Sequence, residues 1–186
     1  MSFVTNVHRP LDVAKWFVLK AKICDAELSN LKLQKLMYYA QGRSLAVAGR
    51  PLFDADIEAW DHGPVVAEVY HAFKAFQSDT IPSTVVGSFT QDDFDREARR
   101  LLEAVWSEEG SKAAWVLREC THNERPWVAT YQAGARHRVI SRELITEFFR
   151  GQHLARSLSI EDSFAEWADE SYELAEEFLP AASQDW

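Results

Sequence analysis

Between Leu11 and Cys24 the run LDVAKWFVLKAKIC sets Leu11, Val13, Ala14, Trp16, Phe17, Val18, Leu19 and Ile23 around most of a helix's circumference. A helix with so wide an apolar face is enclosed on more than one side, so other elements must be built around it. Further helical periodicities supply them. Ser29 or Asn30 caps a second helix, in which Leu33, Leu36, Met37, Ala40 and Val47 recur at helical spacing and Tyr38, Tyr39 and Leu45 widen the face. Gly49 and Pro51 end it. Gly63-Pro64 opens a third helix over about 65–76, with Val66, Val69, Tyr70, Phe73 and Phe76 on one face. A fourth, about 91–109, has Asp92, Asp93 and Asp95 in its first turn and an apolar stripe from Phe94 to Trp106. A fifth follows Ser111, with Ala114, Trp115 and Leu117 as its apolar set, and a sixth runs from Ser141 through Phe149. Pro126-Trp127 turns the chain into a loop over 128–140, and Ile57 to Trp60 is a brief extended piece. Residues 161–178 form an appended helix, with Phe164, Trp167, Ala168, Ala175 and Phe178 opposite its acids. The expected fold is mainly α: a compact single-domain helical bundle of about six helices plus a C-terminal acidic amphipathic helix, with little or no β. The expected division is a helical domain over 1–155 and an acidic tail over 156–186.

Charge is distributed unevenly. The formal net charge is −9, yet residues 1–160 hold 20 acids and 20 bases. The deficit lies in 161–186, with nine acids and no Lys or Arg. A neutral body with an acidic end disfavours general binding to nucleic acid, and no helix-turn-helix with a basic second helix appears. Arg136, Arg138, Arg142, Arg150 and Arg156 precede the acidic segment and pair with it or stay solvated. Only two cysteines occur, Cys24 and Cys120, so no disulfide framework exists and a reducing, cytoplasmic setting is expected. Both are expected to be buried and inert. No apolar run reaches the roughly 18 residues of a membrane span, and the N-terminus lacks the pattern of a secretory signal.

A search for chemistry returns little. None of the six histidines forms an i, i+4 pair, and HExxH is absent, so no metal is expected. GxGxxG, GxxxxGK[ST] and GxSxG are also absent, so no cofactor and no catalytic role is expected. The seven tryptophans say more. Trp16, Trp106 and Trp115 lie on apolar stripes and are expected in the core. Trp60, Trp127, Trp167 and Trp186 lie in loops or the tail, where tryptophan either anchors protein interfaces or plugs a bundle end.

Three segments carry a family likeness: LKLQKLMYYAQGRSLAVAGRPLF (31–53), IEAWDHGPVVAEVYHAFKAF (57–76) and AAWVLRECTHNERPW (113–127). In order, spacing and content they resemble the Panacea-domain antitoxins. After Gln41-Gly42 the family often has a bulky aromatic or His, where this chain has Arg43-Ser44. The resemblance covers about 11–150 and leaves out the acidic tail. It implies a non-catalytic antitoxin that neutralises a cognate toxin encoded nearby by direct protein–protein binding. It also admits the role of a proteolytic adaptor that delivers the toxin to the ClpXP protease.

Within the motif, Leu33, Leu36, Tyr38, Tyr39, Gly63, Pro64 and Pro126 read as scaffold. The polar and aromatic members Lys35, Gln41, Arg43, Trp60, Asp61, His62, His122 and Trp127 are the candidates for partner binding, because the polar ones gain little from being core. The competing reading is a small-ligand-binding or enzymatic pocket at the Trp60, His62, His122 and Trp127 end.

Overall fold

A computed structural model describes residues 7–135 and 137–157. The chain divides into two compact units, one ending at Arg150 and the other beginning at Gly151. The first unit is mainly α with a small sheet. Its elements are α1 (Pro10–Ile23), α2 (Asn30–Val47), β1 (Ile57–Trp60), β2 (Gly63–Val65), α3 (Ala67–Phe73), α4 (Arg96–Glu109), α5 (Ala114–His122), α6 (Arg125–Thr130), β3 (Val139–Ile140) and α7 (142–150). Short 3-10 turns cover Lys74–Phe76, Ser83–Val86 and Gln91–Asp93. In the second unit, residues 151–157 are helical. The expected acidic helix over 161–178 lies outside the described residues.

α2 is the axis of the first unit. Ser29 caps it by accepting a hydrogen bond from the Lys32 amide. Fourteen of its eighteen residues are buried, and α1, α3, α4, α5 and β2 all pack on it. The buried face of α1 is narrower than its sequence implies: Val13, Ala14, Trp16, Phe17, Val18 and Ala21 are enclosed, Leu11 and Leu19 are partly buried, and Ile23 is exposed. Burying one large apolar side chain contributes roughly 1.5–3 kcal/mol, so these two helices hold much of the stabilising area. Asp95 caps α4 through the Ala98 amide, and Ser141 accepts from the Leu144 amide at the start of α7.

Several local expectations are corrected. Gly63-Pro64 does not start a helix: the pair forms β2, antiparallel to β1, in a sheet ordered β2-β1-β3. Gly63 sits at φ +100°, a left-handed backbone that a side chain rarely adopts, and a Cβ there would lie 2.7 Å from Lys35 Nζ. Pro126-Trp127 does not enter a loop but starts α6, where a proline's missing N–H costs nothing. Ser111 does not cap α5, whose N-cap is Ala113. Trp115 is 67% exposed instead of core: α5 turns Leu117 and Thr121 inward, one turn apart, and position 115 falls on the opposite side. Cys24 and Cys120 are free and exposed.

Candidate functional site

The richest gathering of motif residues lies where the turn between β1 and β2 meets the corner between α5 and α6. Three aromatic rings form a ladder there. His122 stacks on Trp127 with centroids 4.0 Å apart at 11°, and Trp127 stacks on Tyr131 at 4.4 Å and 15°. The ladder is pinned to the hairpin at two points: Trp127 Nε1 donates to the Trp60 carbonyl at 2.9 Å, and the Tyr131 hydroxyl donates to Asp61 at 2.9 Å. His62 is exposed beside it and accepts from Arg118 Nε at 3.4 Å. Burial, with Arg118, Lys35 and His62 nearby, lowers the His122 pKa and disfavours the charged ring.

Beneath this surface is a buried polar layer. Lys35 is fully enclosed and donates to the Pro64 carbonyl at 2.9 Å. Burial, helped by the Arg118 charge, lowers its pKa to about 7. Glu124 accepts from the Tyr39 hydroxyl at 2.9 Å, and the Tyr38 hydroxyl faces the same carboxylate. Burial outweighs these two hydroxyls and raises the Glu124 pKa to about 7. It also raises that of Tyr39, with the Glu124 charge adding to the effect.

Lys35, Trp60, Asp61, His62, His122 and Trp127 are therefore brought together, with scaffold residues Tyr38, Tyr39, Gly63, Pro64 and Pro126 around them. Gln41 and Arg43 are not part of this group. Gln41, 1% exposed, clamps the 52–53 backbone: its amide donates to the Phe53 carbonyl at 2.9 Å and accepts from the Leu52 and Phe53 amides at 2.8 and 3.2 Å. Arg43 reaches α4, with a two-pronged bond to Glu108 at 2.7 and 2.5 Å. Lys35 and Gln41 thus offer no atom to a partner's surface. They earn their place in the core by satisfying loop carbonyls and amides that burial would otherwise leave unpaired.

On the neighbouring face of the hairpin lies a groove that shares Trp60 and His62 with the pocket expected from the sequence but is lined by neither His122 nor Trp127; sequence reasoning missed its α3 wall. Trp60 packs edge-on against Tyr70 at 4.9 Å and His71 at 6.3 Å. Glu58 fixes the Trp60 ring by accepting from its Nε1 at 2.8 Å. Asn30 and Gln34 hold the far wall, with Asn30 donating to the Tyr70 carbonyl and Gln34 accepting from the Val66 amide. These walls enclose about 650 Å³, in the range of ligand and side-chain pockets. The signal for it was the i, i+1 pair Tyr70-His71 facing a β1 aromatic, which is legible only once the hairpin is known. Among the described residues no group of three His, Cys, Asp or Glu side chains is placed to hold a metal ion. No helix among them is long and apolar enough to cross a membrane.

The family model for the SocA-like antitoxin Panacea domain matches residues 33–128, which run from within α2 into α6 and include His122 and Trp127 of the ladder, though not Tyr131, and the groove's aromatic wall. Antitoxin SocA of Caulobacter vibrioides (strain NA1000 / CB15N) is 49% identical over 63 residues, 34% of this chain and 34% of that protein. The aligned stretch thus spans about a third of the relative's length. No solved structure matches.

Proposed function

The chain belongs to the SocA-like, Panacea-domain antitoxin family, and from that premise we propose that it neutralises a cognate protein toxin, encoded nearby, by binding it directly in the cytoplasm. The observation that supports binding over catalysis is how the bundle end uses its polar atoms. Lys35, Glu124, Asp61 and the Trp127 indole are each engaged in bonds that hold the fold, while Trp60 and His122 keep partly open ring surface. Half-open aromatics on a rigid support are what protein interfaces use as anchors. In this reading residues 1–155 are the antitoxin domain and 156–186 an acidic extension of it.

The test is co-expression with the small reading frame beside its gene, with a tagged pull-down and growth scored together. The expected result is a stoichiometric complex and restored growth; neither complex nor rescue overturns the reading. The likeness to an antitoxin of the SocA type supports a second mode, delivery of the toxin to ClpXP. That mode requires the purified protein to shorten the toxin's half-life in a ClpXP digest while surviving itself. An unchanged half-life restricts the protein to simple sequestration.

A further inference from the structure

We propose that the groove between the β1–β2 hairpin and α3 receives a basic segment of the toxin, with one arginine or lysine side chain seated against Trp60. This rests on the antitoxin reading and gives it a surface and a partner chemistry.

The sign of the occupant follows from the charges in the lining. Glu58 and Asp61 stand on either side of Trp60 in the hairpin, and among the described residues that line the groove Lys74 is the only Lys or Arg. With histidines counted as neutral, the lining is therefore acidic. Glu58 accepts from the Trp60 indole at 2.8 Å, and Asp61 accepts from the Tyr131 hydroxyl at 2.9 Å. Both donors are neutral, so each carboxylate keeps its charge and has lone pairs left for a further donor. Glu58 also lies 3.3 Å from His137 Nδ1, but among the described residues neither acid pairs with a Lys or Arg. Arg118, which reaches His62 at the edge, is itself paired with Glu119. An acidic segment would meet two carboxylates and a single lysine; a basic one finds open acceptors.

The walls favour the same sign. Trp60 and Tyr70 pack edge-to-face at 4.9 Å, each half-buried. Their ring faces carry the negative side of the quadrupole, and an indole is the best aromatic seat for a cation. Leu31 and Val65 add apolar surface for the methylene stem of an arginine or lysine. Glu58 already fixes the Trp60 ring, so little side-chain freedom is lost on docking. The volume of about 650 Å³ admits such a side chain whole. At long range the net charge of −9 draws a basic partner as well.

The experiment has two arms on the full chain. In the first, binding of the neighbouring gene product is compared for the native protein, the double variant Glu58→Gln with Asp61→Asn, and Lys74→Gln. The two amides keep an acceptor for the indole and the hydroxyl, so charge alone is removed, and circular dichroism verifies the fold. The double variant is expected to bind about tenfold or more weakly at low salt, and Lys74→Gln about twofold or more tightly. Native-strength binding by the double variant, or weaker binding by Lys74→Gln, overturns the proposal. In the second arm, a Gly/Ser peptide with one central Arg is titrated into the millimolar range and followed by amide shifts. The same peptide with citrulline or Glu at that position runs beside it. Saturating shifts confined to 30–34 and 58–77 for the Arg peptide alone, and lost in the double variant, support the groove. Equal binding of the Arg and citrulline peptides, preference for Glu, shifts elsewhere or no shifts overturn it. If the native protein neither binds nor rescues, the antitoxin reading has failed, and the peptide arm still decides what the groove accepts.

Discussion

Glu124 and Lys35 pull stability in opposite directions along the pH axis. Glu124 keeps its proton in the fold up to about 7, against an ordinary 4.5. Between those values the unfolded chain is ionised and the folded one is not, so stability from this group is full below 4.5 and is lost as pH rises to about 7. Lys35 is the reverse. Its pKa falls from 10.5 to about 7, so the fold gives up a proton that the unfolded chain keeps, and stability recovers as pH rises from about 7 towards 10.5. Glu124→Gln, which keeps an acceptor for Tyr39, is expected to flatten the fall between 4.5 and 7. Lys35→Met is expected to flatten the rise above about 7. Urea midpoints taken across the pH range check both, and unchanged slopes would refute the burial argument. Trp115, being two-thirds exposed, is expected to accept Ala with a change within about 0.5 kcal/mol by the same measurement. Its apolar size pointed to the core; the direction of its Cα–Cβ bond on α5 placed it outside.

α2 shows why elements were more legible than their polar members. Apolar spacing located α1, α2 and α4 to within a few residues, because each buries a long continuous face. Of the hairpin only β1 was legible, as a brief extended piece over Ile57 to Trp60; β2 and the pairing were not, since the two strands together hold only seven residues and the turn between them needs a positive φ at Gly63. It also misjudged Lys35 and Gln41. A polar residue on a helix that is otherwise apolar all round signals a bond to irregular backbone, and that signal was available in LKLQKLMYYAQG. Gln41→Ala strands two amides and one carbonyl and is expected to cost about 3 kcal/mol in chemical denaturation. Gly42 is constrained by packing instead of by conformation: a Cβ there would lie 2.2 Å from the Phe149 ring of α7. Gly42→Ala is therefore expected to cost about 1–3 kcal/mol, with rescue by Phe149→Leu.

At the scale of the first unit, α2 is the shared neighbour of α1, α3, α4, α5 and β2, so none of these five elements opens fully without exposing it. Native-state hydrogen exchange is expected to show amides of 33–41 as the slowest, exchanging only with global unfolding, while the 83–93 turns exchange first. Slower exchange anywhere on α6 would contradict this. The way α2 holds its surroundings has a further effect. Gln34, Lys35 and Gln41 bond to the main-chain atoms of 66, 64 and 52–53, and every residue type carries a main-chain carbonyl. Side chains along the hairpin and its approach can therefore be exchanged, short of Gly63 and of proline at a donating amide, without loosening a single one of these ties. A lineage facing a succession of different adversaries could rewrite the outer lettering of this scaffold while its inner grammar stayed the same.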